Sequence, residues 1–295
     1  MIDVHGHAKG EHVAFAQERP IPYTADAIFS WFCRAAGTGR VRTLVLTDHS
    51  NLATPQDPDA IARARQALAL AAAGDAAGAA QTADVPFEEA ATLSGAMRSG
   101  LRCLIGVEAD NDPRDAQAAA EILSQWSPAC VIRSVHFLEL EHPDGGAWLW
   151  PFDNPEFSSF YECYATGTLW RCYVDTLLRQ IGELRTDVVG HFYVPAKFGH
   201  WPKLRELEEH EDRLIDACAR RCIAIEFNTR ALYRGRGENR ETYLTHYRRL
   251  LRKSARAGVP IALGSDAHCP ADQTNGFDLA MDVIAQVGGV EMYAA

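Results

Sequence analysis

The sequence predicts an α/β fold built on parallel strands, and three observations carry that prediction. Short apolar stretches of strand length alternate with stretches of helical periodicity along the 295 residues. The strand-like stretches are predominantly apolar over four to seven residues, as strands covered on both faces are. Each of the seven ends, on its C-terminal side, in a polar residue suited to binding: His5 and His7, His49, Glu108, His136, His191, Asn228, and Asp266 with His268. A closed barrel brings all its C-terminal strand ends to one face. An open doubly wound sheet would spread them along an edge and use only its switch point. Convergence of seven such ends favours the barrel.

Residues 2–4 form the first strand. His5 and His7 leave it two residues apart, so they project to the same side, with Gly6 keeping the space between them open. A polar loop, 8–11, leads to His12. A helix is expected from Thr24, a plausible N-cap, to residue 36, with Ala27, Ile28, Trp31 and Phe32 at helical spacing and Gly37 and Gly39 ending it. The strand 41–46 runs into Thr47-Asp48-His49. Adjacent residues point to opposite faces, so His49 is assigned to the site and Asp48 to orienting a ligand from behind it.

Residues 59–80 read as an alanine-rich helix that stops near Gly74 or Gly78, and 86–98 as a helix with Glu88 and Glu89 favourably placed in its first turn. The strand 101–107 ends in Glu108, the helix 115–125 follows, and the strand 129–135 ends in His136. Residues 139–168 are expected to be a long loop rich in Trp, Phe, Tyr and Pro, of a length that tends to be functional. A helix, 169–184, precedes strand 187–190 and His191. The loop 192–201 carries Lys197 and His200. Helix 203–221, strand 222–227, helix 242–257, strand 260–263 and helix 277–287 complete the alternation. His210 and His246 fall in charged helices and are expected on solvated faces.

Composition narrows the classes of function. Hydrophobic content of 47% and charged content of 23% are those of a globular protein with a large core. A net charge of -10 argues against a nucleic-acid backbone or an anionic membrane as partner. No apolar run is long enough to span a bilayer. The eight cysteines show no paired CxxC spacing and several sit in apolar runs, as reduced core cysteines do. A cytoplasmic enzyme in one domain, 1–295, with an alanine-rich helical insertion at about 54–85, is the expectation; oligomeric state is not legible.

A histidine at one strand end is ordinarily a satisfied polar residue. Repetition weakens that reading: of the 11 histidines, only His142, His200, His210 and His246 lie outside the pattern. Histidines with a few carboxylates suit Zn²⁺, Mn²⁺ or Fe²⁺. There are too many for one structural zinc, which closes its shell with four ligands. With two or three ions, Glu108 is the natural bridge, and such clusters polarise phosphoryl oxygens. The residues therefore point to a multinuclear metallohydrolase.

In this order, Asp3-Val4-His5-Gly6-His7, Thr47-Asp48-His49, Gly106-Val107-Glu108-Ala109-Asp110, Ser134-Val135-His136-Phe137, Gly190-His191 and Gly264-Ser265-Asp266-Ala267-His268 resemble the polymerase and histidinol phosphatase (PHP) family of metal-dependent phosphoesterases. Six ordered motifs spanning nearly the whole chain are specific. The resemblance implies a distorted seven-stranded β/α barrel with a trinuclear site. The first ion would take His5, His7, Glu108 and Asp266; the second would share Glu108 and add His136 and His191; the third would take His12, His49 and His268. Together with Glu226-Phe227-Asn228-Thr229, the motifs look most like histidinol-phosphate phosphatases, which implies a small phosphate ester, L-histidinol phosphate, as substrate.

The alanine-rich segment, the aromatic stretch around Trp148 to Tyr164, and Arg230, where the family tends to have a small residue, depart from the family pattern where a leaving group would be read. Arg230 is a candidate phosphate ligand. Asn228, Lys197, His200 and Arg234 are further substrate-binding candidates, and Asp266 or His268 the candidate proton donor beside Glu108 in the catalytic group. Rival expectations are a PHP phosphoesterase for a nucleotide, cyclic phosphate or sugar phosphate, an amidohydrolase, and a non-catalytic metal-binding domain. An amidohydrolase would want a mid-barrel lysine that no strand here ends in.

Overall fold

The computed structural model of the chain describes residues 1–9, 23–37, 41–50, 53–110, 124–234 and 238–294. Strand β1 (Ile2–Asp3) pairs in parallel with β2 (Thr43–Leu46), and β2 with β3 (Arg102–Ile105). A second parallel sheet contains β4 (Val107–Ala109), β5 (Val131–Arg133), β8 (Val188–Val189), β9 (Ala224–Asn228) and β10 (Ile261–Gly264), in that spatial order. Between β5 and β8 the chain makes an antiparallel hairpin, β6 (Phe137–Glu141) with β7 (Ala147–Pro151).

The two parallel sheets touch at both sides. β3 and β4 are one strand broken at Gly106, whose N–H donates to Leu46 O at 2.7 Å, while the next N–H, of Val107, donates to Cys130 O at 2.9 Å. The strand changes partners there. A Cβ on Gly106 would stand 2.5 Å from Cys130 O and 3.0 Å from the Thr47 methyl, so this close approach requires glycine. Gly106→Ala is expected to destabilise the fold by about 1–3 kcal/mol; an unchanged urea midpoint would show that the strand opens there without strain. On the other side, Val4 N–H donates to Leu263 O at 2.9 Å and His7 N–H to Ala267 O at 2.8 Å.

Val4, Val45, Ile132, Val188, Ala224 and Ala262 pack into one small buried cluster, with Leu104 against it. Outside the strands, α1 (Ala25–Ala36), α2 (Asp57–Ala73), α3 (Ala76–Ala83) and α4 (Phe87–Arg98) share one core with β2 to β4. Thr24 caps α1, accepting from Ala27 N–H at 3.4 Å, and Ile28, Phe29, Phe32 and Ala35 bury its inner face. α5 (Thr166–Glu183), α6 (Leu204–Arg221), α7 (Arg230–Arg234), α8 (Glu238–Ala257) and α9 (Phe277–Val287) share a second core with β8 to β10.

Several expectations need correction. The alanine-rich helix is two: α2 ends at left-handed Gly74, and Asp75 starts α3 by accepting from Gly78 N–H at 2.8 Å. The long loop at 139–168 is instead the β6–β7 hairpin followed by a 3₁₀ segment, Pro155–Cys163. Its aromatic residues pack on one another: Trp150 is fully buried, and the Trp148 ring lies tilted against Phe160 with centroids 4.7 Å apart. His210 and His246 are not on solvated faces: His210 is buried beside Trp170, and His246 lies 4.4 Å from the Trp201 ring. His12 and nearly all of the expected helix 115–125 lie outside the described residues. Among the described residues no helix is long and apolar enough to cross a membrane.

Candidate metal centre

Glu108, at the middle of β4, is fully buried among five imidazoles. Its Oε2 lies 3.0 Å from His49 Nδ1, 3.3 Å from His5 Nε2 and 3.6 Å from His7 Nε2. Its Oε1 lies 2.9 Å from His191 Nε2 and 3.6 Å from His136 Nε2. Parallel strands make this possible, because each histidine leaves its strand at the same end. Asp266 closes the group from β10, 3.3 Å from His7 Nε2. It sits in the left-handed region at φ 51, a conformation Asp tolerates better than most residues and one that turns its carboxylate back over the strand ends.

Among the described residues four overlapping sets of ligand atoms lie close enough to hold an ion: His5, His7 and Asp266; Glu108, His136 and His191; His7, His49 and His268; and His49, Asp110 and His136. The donor set, imidazole with carboxylate, suits borderline divalent ions. Buried ring nitrogens of His5, His7 and His49 make no hydrogen bond, although their neighbours are carboxylates and other imidazoles. An ion is the partner such atoms fit.

Two carboxylates that sequence reading did not assign belong here. Asp110 lies 2.8 Å from His136 Nδ1 and 3.6 Å from His49 Nδ1. Its signal was present: it follows Glu108 by two residues on a strand and so faces the same way. Glu226 is two before Asn228 on β9. Its Oε1 lies 2.7 Å from His5 Nδ1, and its Oε2 accepts from His191 N–H at 2.6 Å. A Cβ on Gly264 would fall 1.8 Å from that Oε1, so the glycine makes room for the carboxylate. A carboxylate behind a ligating histidine fixes its tautomer and raises its basicity. Glu226→Gln is therefore expected to weaken zinc binding about 10–100-fold. Competition with a chromophoric chelator measures this, and affinity within twofold of the unaltered protein would remove Glu226 from the centre.

Burial opposes charge throughout, and the neighbours decide the outcome. It would suppress the charged form of His5 and His49, but Glu226 and Glu108 hold His5, and Glu108 and Asp110 hold His49, well above the usual imidazole range. His136 is raised to about 9 against its burial by Asp110 and Glu108. Burial, and next to it the neighbouring imidazoles, keep His7 and His268 below the usual range despite Asp266. Glu108 is held well below the carboxylate range, against burial, by His49, His5 and His136. Asp266 is held there by Arg230 and His5.

The other expected residues occupy other positions. Asp48 accepts from Ala8 N–H at 3.0 Å, Lys9 N–H at 2.9 Å and the Tyr23 hydroxyl, so it holds the turn after His7 and orients no imidazole. Asn228 gives its amide to Glu226 at 3.2 Å and Asp266 at 3.3 Å, an orienting position. Arg230 reaches the rim of the cluster, donating to Asp266 O and His268 Nδ1, both at 2.6 Å. Lys197 donates to Asp153 O at 2.7 Å, and His200 stacks on Tyr161 at 4.4 Å. Arg234 pairs with Asp272 at 2.8 Å at the surface.

No family model matches the chain. It is similar to a probable histidinol-phosphatase of Deinococcus radiodurans, 34% identical over 185 residues, a match covering 63% of this chain. The chain thus spans 65% of that relative's length. Its fold is similar to that of a histidinol phosphate phosphatase from Lactococcus lactis subsp. lactis, solved in complex with zinc, L-histidinol and phosphate. That likeness has a TM-score of 0.63 at 19% identity and covers 99% of this chain and 95% of the other.

Proposed function

We propose that the chain is a PHP-family metal-dependent phosphomonoesterase that hydrolyses L-histidinol phosphate to L-histidinol and phosphate. The observation that carries this reading is Glu108, one buried carboxylate reaching five imidazoles with both oxygens. The resemblance to histidinol phosphatases in sequence and fold supports the substrate. The architecture we infer is a seven-stranded barrel in which β3 and β4 count as one strand. The Val4 N–H to Leu263 O bond, the Gly6–Ala267 bridge and the small central cluster support its closure. Free cysteines in the described chain fit a reducing, cytoplasmic setting.

Two or three zinc, manganese or iron ions would be held by His5, His7 and Asp266, by Glu108, His136 and His191, and by His49 with His268 and, outside the described residues, His12. Bound there, such ions supply positive charge to phosphate oxygens and lower the pKa of water. The chain's own residues do the rest. Glu108 joins the histidines of β1, β2, β5 and β8 into one centre. Asp266, held low, stays ionised and so suits ligation better than proton donation. Arg230 brings a guanidinium to the rim, where a phosphate oxygen would meet it. Asn228 orients Asp266 and Glu226. Lys197, His200 and Arg234 we assign to the outer wall.

Phosphate release from L-histidinol phosphate by the zinc-, manganese- or iron-reconstituted protein, beside nucleotides and sugar phosphates, tests the reading. Expected is a kcat/KM of about 10⁴ M⁻¹s⁻¹ or more, abolished by chelator. Turnover confined to nucleotides or sugar phosphates would move the substrate and keep the centre. No turnover of any ester by metal-loaded protein would remove the enzyme.

A further inference from the structure

A buried carboxylate outside the cluster lies just after the aromatic hairpin, near enough for its charge to act on His136. The chain enters β6 directly after His136 and β7 brings it back: Phe137 pairs with Pro151, so the residues after Pro151 return beside His136. Asp153 is one of them. It is 8% exposed, and its charge acts on both His136 and Tyr161. One oxygen, Oδ2, lies 3.7 Å from Lys197 Nζ. Among the described residues the other, Oδ1, is buried with no hydrogen-bond partner, as are the amide nitrogen of the next residue, Asn154, and the hydroxyl of Tyr161. A buried carboxylate oxygen without a donor is costly, and a positively charged group on a ligand would supply that donor.

We propose that Asp153 is the subsite for a positive charge on the leaving group, which makes this a site for phosphate esters of amino alcohols. The proposal rests on the phosphatase reading above. A metal centre attracts any phosphate monoester. A carboxylate held next to it repels esters that are wholly anionic and attracts those with an ammonium a few bonds from phosphorus. Sugar phosphates and simple nucleotides carry no such group. Such esters leave the buried Asp153 Oδ1 without a donor, and that is the element that rejects them.

The test compares L-histidinol phosphate with 3-(imidazol-4-yl)propyl phosphate, which lacks only the amine. The zinc-loaded protein is expected to prefer the amine-bearing ester about 100-fold in kcat/KM. In Asp153→Asn that ratio should fall to near unity, with zinc content by mass spectrometry unaltered, and Asp153→Glu should restore part of it. A ratio that Asp153→Asn leaves unchanged, whatever the loss of absolute rate, overturns the proposal. So does a ratio near unity in the unaltered protein, with the phosphatase reading intact. Turnover of neither ester overturns that reading and the subsite with it. A second measurement needs no variant: L-histidinol should compete about 100-fold more tightly than 3-(imidazol-4-yl)propan-1-ol, and equal inhibition would overturn the subsite.

Discussion

Glu108→Gln is expected to lower kcat on L-histidinol phosphate by about 10³-fold, since a lost metal contribution of about 4 kcal/mol is three decades of rate. The side chain keeps its shape and loses the charge that both of its oxygens present to His5, His7, His49, His136 and His191. A neutral amide is a poor ligand for a hard or borderline cation, and it cannot bind two ions with equal oxygens. Zinc content should fall along with rate. Asp110→Asn is the informative contrast. The Asp110 carboxylate lies against His136 and His49, so its loss should cost about 10–100-fold, the usual size for a group that steadies a ligand. Mass-spectrometric zinc stoichiometry and steady-state kinetics on the two variants check this. Equal losses would put the two carboxylates in one role, and near-normal turnover by Glu108→Gln would take the chemistry out of the cluster.

The parallel sheet and most of the centre were legible because strand period and strand direction are local properties with a global consequence. A run such as Thr43–Leu46 is buried at every position, and a continuous apolar run followed by a histidine reads the same in sequence as in space. Once the strands are parallel, their C-terminal residues must converge. His5, His7, His49, Glu108, His136, His191, Asp266 and His268 are assigned this way, without any knowledge of which strand neighbours which, and the fold brings their side chains together. The break at Gly106 was invisible to the same method. Residues 101–107 read as one strand, yet the pairing passes from Leu46 to Cys130 at that glycine.

What escaped the reading escaped for specific reasons. Asp110 offers only its two-residue spacing from Glu108, and Glu226 offers less, since a carboxylate near a strand end is ordinarily a surface group and only its partner across the site reveals it. The hairpin after His136 was read as loop because its strands, Phe137–Glu141 and Ala147–Pro151, are flanked by Pro, Gly and aromatic residues that suggest irregular chain. Its turn holds Gly145 and Gly146 at φ 97 and 91, a conformation that suits glycine and sharply reverses the strand. His210 and His246 sit in helices whose sequences are densely charged, and nothing local says that Trp170 and Trp201 will cover them. Long-range cover of this kind is a property of the packing and not of the period.

Removing the metals should give a protein whose stability falls over a pH range in which that of the loaded form holds steady. In the metal-free chain, His5, His49 and His136 are protonated to a higher pH than ordinary imidazoles, His136 to about 9. A raised folded value stabilises the fold in full below the unfolded value of about 6.5. That contribution is lost as pH climbs through the folded values. Glu108 and Asp266 are depressed, so their contribution is present above about 4–4.5 and lost only in acid. From this cluster, the chelated protein should therefore lose melting temperature between pH 6.5 and 9. Zinc cancels the trend, because it takes the neutral imidazole and must displace those same protons, so its apparent affinity rises with pH as the metal-free stability falls. At 100 times Kd a ligand adds about 2.7 kcal/mol to stability, and Kd itself tightens over the window. Melting curves with chelator and with zinc at pH 6, 7.5 and 9 should diverge steadily, with protons released on zinc addition at pH 7. A constant gap and no proton release would mean that the carboxylates do not hold these imidazoles charged, and that Glu108, Asp110 and Glu226 act on the centre through geometry alone.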